Sequence, residues 1–225
     1  MKTKLSIRSF FIAFLLLSSL LVNTAVCEEA KTNENLYEIV KGFLESHSNQ
    51  WIDWNVPEAD GRVLYDLIIK NNYKHVLDIG TSTGHSAIWM AWALSKTHGR
   101  LITIEIHEGR HKKALANFKE AGLSQYIDAR LADAHELVKD LEGPFDFVFT
   151  DADKEWYKNY FIALAPKLDV GGCFAAHNVS SSYMRGVTAF LEHVQSLPNF
   201  ETTIIRSSTA GISISCKKWN ETEEK

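Results

Sequence analysis

Proline is scarce in this sequence, with four residues in 225, and there is no low-complexity tract and no internal repeat. That composition excludes a Pro-rich spacer, a solenoid and a disordered tail as the organising feature. Cysteine is scarce too, at three residues, too few for a scaffold built on disulfides. There is no extended run of Lys or Arg, and the formal net charge is −4. A protein that must neutralise phosphates carries the opposite balance, so nucleic acid is excluded as a partner. No uninterrupted apolar run reaches the roughly 20 residues of a membrane-spanning helix.

The longest apolar run is SFFIAFLLLSSLLV, from Ser9 to Val22. Lys2, Lys4 and Arg8 precede it and NTAVCEEA follows. A basic start, a short apolar stretch and small residues before a polar segment make a secretory signal over residues 1–27, cut after Cys27. The protein is therefore expected to be exported, periplasmic or secreted, and membrane-anchored if the signal stays uncut. Loss of residues 1–27 removes three cations and no acid, taking the formal charge from −4 to −7. It also leaves no stable membrane span. The remainder, 28–225, is long enough for a single domain with a sizeable core. Cys173 and Cys216 both fall in strand-like runs, which leaves a disulfide and a pair of buried thiols equally open.

From His75 onwards strands and helices alternate. HVLDIG (75–80), RLITIEI (100–106), 127–131, FDFVFTDA (145–152) and GGCFAAHN (171–178) read as strands, each followed by a helical stretch. ETTIIRSS and ISISCKK then make a closing hairpin. Five βα units plus a hairpin predict a Rossmann-like, doubly wound α/β fold. Its seven-stranded sheet is mostly parallel, with a C-terminal antiparallel hairpin and helices on both faces. In such sheets ligands bind beyond the carboxyl ends of the strands. Asp78, Glu105, Asp133, Asp151 and the pair His177-Asn178 each end, or closely follow, a different strand. One polar strand end is unremarkable, but a set of them on one edge points to a site.

GTSTG (80–84) joins the first strand to its helix. Its spacing is not the G-x-G-x-x-G of dinucleotide binding. Glycine still lets backbone approach a ligand closely, and Ser86 lies near the helix start, where free N–H groups favour a carboxylate. Glu105 ends the second strand, where an acid can accept hydrogen bonds from both hydroxyls of a ribose. The missing third glycine and the closing hairpin favour S-adenosylmethionine over a nicotinamide dinucleotide.

WNVPEADGRVLYDLI, VLDIGTSTGHSAIWMA, LITIEI and FDFVFTDADKEWY together resemble the metal-dependent O-methyltransferases of the catechol and caffeoyl-CoA type, from about Trp54 to Lys218. The resemblance implies methyl transfer from S-adenosylmethionine to a hydroxyl of a small phenolic or catechol-like acceptor. It places Val56 at a gate beside the cofactor. It sets Asp78 near the methionine ammonium, Gly80 and Ser86 on the methionine part, and Glu105 on the ribose. Asp133 and Ala134 lie by the adenine, and Asp153 approaches the cofactor. Lys154 becomes the general base, and Asp151, His177 and Asn178 the metal ligands.

His177 departs from the family, which has Asp-Asn there. An all-oxygen set suits Mg²⁺. An imidazole in place of one carboxylate removes a charge and shifts preference to Mn²⁺, Fe²⁺, Co²⁺ or Zn²⁺, or leaves the site without metal. Trp54, Trp156 and Tyr157 flank the motifs as candidates for an acceptor wall, while Trp51 and Trp89 read as packing. A metal-free methyltransferase, a cofactor-binding protein without turnover and, more distantly, a dehydrogenase stay open as alternatives. So does a second copy of the chain as partner.

Overall fold

The computed structural model describes residues 34–180 and 184–220. The expected export signal, residues 1–27, lies outside the described residues. The chain divides into two compact units, one ending at Gly42 and one running from Phe43. A helix, α1, covers 34–46.

The second unit is built on a seven-stranded sheet. Its strands are β1 (His75–Ile79), β2 (Arg100–Glu105), β3 (Ile127–Leu131), β4 (Phe145–Thr150), β5 (Leu168–His177), β6 (Phe200–Ile205) and β7 (Ile212–Lys217). Their spatial order is β3-β2-β1-β4-β5-β7-β6. β1 to β5 pair in parallel, and β7 runs antiparallel to both β5 and β6. The architecture is the one expected from the alternation of strands and helices. Central strands such as β1 and β4 are almost wholly buried, as parallel strands covered on both faces must be. The edge strand β3 is only half-buried and carries Asp128 and Arg130, which discourages further strand pairing.

The helices are α2 (Glu58–Asn71), α3 (His85–Thr97), α4 (Glu108–Glu120), α5 (Ala134–Asp140), α6 (Tyr157–Leu164) and α7 (Arg185–Ser196). α2 opens after Pro57 with Glu58 and Asp60 in its first turn, where carboxylates suit the helix dipole. It stops at Asn72, which adopts the left-handed conformation at φ 54°. Leu77, Val148, Tyr157, Phe161, Phe174 and Phe190 form the centre of the core shared by the sheet, α6 and α7. Burial at about 25 cal/mol per Å² of apolar surface holds these layers together. Cys173 and Cys216 face each other across β5 and β7 and are joined in a disulfide. That decides the alternative which the sequence left open. Among the described residues no helix is long and apolar enough to cross a membrane.

Candidate active site

The parallel strands bring their carboxyl ends to one edge, and a cavity of about 470 Å³ opens there. It is lined by Gly80, Glu105, Asp133, Ala134, Asp151, Asp153 and Lys154 of the expected set, together with Trp54, Arg110, His135, Tyr160 and Met184. Val56, Asp78, Ser86, His177 and Asn178 lie outside this lining. Except for half-buried Asn178, each is buried.

The turn after β1 determines the shape of the cavity. Gly80 has φ 102°, and a Cβ there would stand 2.7 Å from the carbonyl oxygen of Asp151. Only glycine lets β1 and β4 end so close together. The Gly80 and Thr81 N–H groups donate to the Ile104 carbonyl. Next in the turn, Ser82 N–H donates to Glu105 Oε2 at 2.7 Å, while His107 N–H donates to Oε1 at 2.8 Å. Glu105 is thus oriented by two backbone donors, and each oxygen keeps a lone pair for a ligand hydroxyl.

Asp78 is fully buried behind this turn. Its Oδ2 accepts from Thr103 Oγ1 at 2.8 Å and from Ser86 Oγ at 3.2 Å. Its Oδ1 has no partner. Desolvation pushes its pKa up to about 7, against the hydrogen bonds from Thr103 and Ser86. An orphaned, buried carboxylate oxygen fits a cationic ligand group.

Asp133 caps α5, accepting from His135 N–H at 2.9 Å. Asp153 accepts from Glu155 N–H at 3.1 Å, and its other oxygen lies 3.4 Å from His135 Nε2. His135 stacks on Trp156 at 3.8 Å, and Trp156 packs against the core outside the cavity lining. Trp54 is 80% exposed at the mouth with φ 53°. Tyr157 is wholly buried and donates to the His177 carbonyl at 3.1 Å. As a core residue it cannot form part of an acceptor wall. Trp51 stacks on His85 and Trp89 donates to His85 Nε2, both in packing roles.

Lys154, Asp151, His177 and Asp60 form one chain of contacts. Lys154 Nζ lies 2.5 Å from Asp151 Oδ1. His177 Nδ1 lies 3.0 Å from Asp151 Oδ2, and its Nε2 lies 2.8 Å from Asp60 Oδ2. Ser207 donates to Asp60 Oδ1, and Ser208 donates to Oδ2 at 2.6 Å. A neutral imidazole has one N–H, so only the imidazolium donates to both carboxylates. Burial opposes that charge, but the bonds to Asp151 and Asp60 outweigh it and push the His177 pKa up to about 9. For Asp60 burial works against ionisation as well, yet His177, Ser207 and Ser208 hold its carboxyl below the usual range.

So arranged, Asp151, His177 and Asn178 do not fit a divalent ion. A ligating imidazole must offer a lone pair, and both ring nitrogens of His177 face carboxylates. Asp151 has one oxygen on Lys154 and the other on His177. Asn178 sits at φ 58° in the turn leaving β5. Among the described residues no group of three or more His, Cys, Asp or Glu is placed to hold a metal.

Sequence reasoning missed Asp60, Ser207 and Ser208. Asp60 reads locally as an ordinary acid in a helix first turn. Its partners are 117 to 148 residues away, and no local pattern signals them. Arg110 was missed as well. It forms a fork on Asp53, with Nη2 at 2.9 Å, and that pair closes one side of the cavity.

A model of the O-methyltransferase family matches residues 28–188, and the chain belongs to that family. A catechol O-methyltransferase of Niastella koreensis is 44% identical over 111 residues, 48% of this chain and 50% of that one. A flavonoid 3',5'-methyltransferase of Vitis vinifera is 30% identical over 154 residues, 66% of this chain and 65% of that one. A caffeoyl-CoA O-methyltransferase of Medicago sativa is 32% identical over 134 residues, 56% of this chain and 54% of that one. The chain thus spans about half to two thirds of the length of these relatives. The crystal structure of an O-methyltransferase from Bacillus cereus in complex with SAH superposes with a TM-score of 0.70 at 25% identity. That match covers 80% of this chain and 91% of that one.

Proposed function

We propose that this protein transfers a methyl group from S-adenosylmethionine to a hydroxyl of a small phenolic acceptor. The observation that carries the reading is that one cavity takes in Glu105 and Asp133, suited to a nucleoside, together with Asp151 and Lys154, suited to acid–base work. Family membership and the SAH-bound structural relative support it.

When bound, the cofactor supplies an electrophilic methyl on a sulfonium. Glu105 holds the ribose hydroxyls, and its two backbone donors keep it from turning away. Asp78, buried behind the glycine turn, would complement the charge of the ammonium with its unpaired oxygen. Asp133, Ala134 and Asp153 border the adenine side. Lys154, as the amine, takes the acceptor's hydroxyl proton. Asp151 stabilises the resulting ammonium through the 2.5 Å contact. Lys154 would leave the acceptor oxygen deprotonated in the cavity to accept the methyl that the bound cofactor would supply, with S-adenosylhomocysteine as the leaving group. Holding oxygen and methyl in near-attack geometry contributes up to about 7–11 kcal/mol.

The reading includes export, with residues 1–27 removed. The Cys173–Cys216 disulfide supports it, because such bonds persist in oxidising compartments. An exported enzyme needs a cofactor supply in its compartment.

The test is calorimetry of S-adenosylmethionine binding to residues 28–225, with methyl transfer to a panel of phenols followed by mass spectrometry. Glu105→Gln should bind about 10- to 100-fold more weakly, the worth of one charge-assisted hydrogen bond. Unchanged affinity in that variant, or no transfer to any phenol, would defeat the reading.

A further inference from the structure

Asp151 and His177, two of the three residues that the resemblance gives to a metal, make a closed arrangement with Asp60. We propose that this carboxylate–imidazole–carboxylate clamp occupies the place of a divalent ion, that the protein methylates phenols without metal, and that Asp60 is the residue positioning the clamp. The proposal rests on the methyltransferase reading above and narrows its acceptor class.

The geometry carries the proposal. His177 is 3% exposed and Asp60 fully buried, so neither contact is a chance encounter of mobile surface groups. The elements that deliver them are independent: α2 brings Asp60, β5 brings His177, and the segment after β4 brings Asp151. The β6–β7 connection adds two hydroxyls, Ser207 and Ser208, both spent on Asp60. Asp60 therefore accepts three hydrogen bonds and cannot swing to another partner without stranding them. A buried carboxylate pair facing one site is costly unless a cation lies between them. A metal ion would serve that purpose, and here the ring of His177 lies between the two carboxylates in contact with both, with Nδ1 on Asp151 and Nε2 on Asp60.

A consequence for the acceptor follows. A divalent ion binds two adjacent oxygens, so it selects vicinal diphenols. The clamp offers no open coordination position, since His177 does not reach the cavity lining. Of the residues that the resemblance gives to metal binding and catalysis, Lys154 and Asp151 line the cavity. One hydroxyl is then enough, and monophenols should be turned over comparably to catechols of similar acidity.

The experiment uses residues 28–225 after chelator treatment. Mg²⁺, Mn²⁺ and Zn²⁺ are titrated separately by calorimetry, and methyl transfer to a matched catechol and monophenol is assayed with and without chelator. The expected result is no one-to-one binding heat for any ion, turnover insensitive to chelator, and comparable kcat/KM for the two acceptors. Asp60→Asn should lower kcat about 10- to 100-fold, the loss of a charged hydrogen bond, with cofactor affinity unchanged. The double variant Asp60→Asn/His177→Asp should gain one-to-one Mn²⁺ binding, which a merely structural role for Asp60 would not produce. A one-to-one ion heat in the native protein that vanishes in His177→Ala would overturn the proposal, as would turnover lost to chelator. If no phenol is methylated, the function reading fails by itself, and the metal titration still decides the clamp.

Discussion

Neutralising the buried Asp78 should make the free protein more stable at neutral and alkaline pH. The folded pKa is raised from 3.8 to about 7, first of all by desolvation. Between those values the folded state holds a proton that the unfolded chain has released. Unfolding then releases it, so rising pH favours the unfolded state, and stability falls from about pH 4 to about pH 7 before levelling off. A shift of roughly three units at 1.36 kcal/mol each sets a ceiling of about 4 kcal/mol on this loss. Asn at this position keeps an oxygen for Ser86 and Thr103 and cannot ionise. Urea unfolding of native protein and Asp78→Asn, followed by tryptophan fluorescence at pH 4 to 8, tests this. The two should have similar stability near pH 4, and the variant should be ahead by up to about 4 kcal/mol at pH 8. The variant should also lose affinity for the cationic cofactor, since its unpaired oxygen becomes an amide. Parallel pH curves for the two proteins would refute the reasoning.

Lys154→Ala should fold normally, bind cofactor as before and lose about 10²- to 10⁴-fold in turnover, the usual cost of a missing general base. Lys154→Arg should fail similarly, because guanidinium stays protonated. Single-turnover kinetics at saturating cofactor check both. Gly80→Ala places a Cβ 2.7 Å from the Asp151 carbonyl at φ 102°, so thermal unfolding should show a loss of at least about 1–3 kcal/mol. Cleaving the Cys173–Cys216 bridge, which spans 43 residues, should cost about 2–4 kcal/mol, read from unfolding with and without reductant.

The alternation of strands and helices, the glycine turn and the acids at the strand ends were legible in the sequence because each depends on local chemistry. Periodicity sets a strand, a left-handed φ calls for glycine at residue 80, and a buried parallel strand stays apolar until it reaches the edge. Glu105, Asp133 and Asp151 were found for that reason and Lys154 through the family resemblance, and the four share one cavity. The departure at His177 was visible too, but its meaning was not. A residue's neighbours across the sheet depend on how distant segments pack, and only the tertiary structure brought Asp60, Ser207 and Ser208 to His177. The same holds for Cys173 and Cys216, which the sequence left open until the β5–β7 register set them face to face, and for Tyr157, whose position in the motif suggested contact with an acceptor. In an amphipathic helix a turn of a few tens of degrees decides between cavity and core, and packing against Phe190 put that ring in the core. Local chemistry therefore determined which groups the protein has at its strand ends, and long-range packing decided which of them pair with one another and which remain free to meet a ligand.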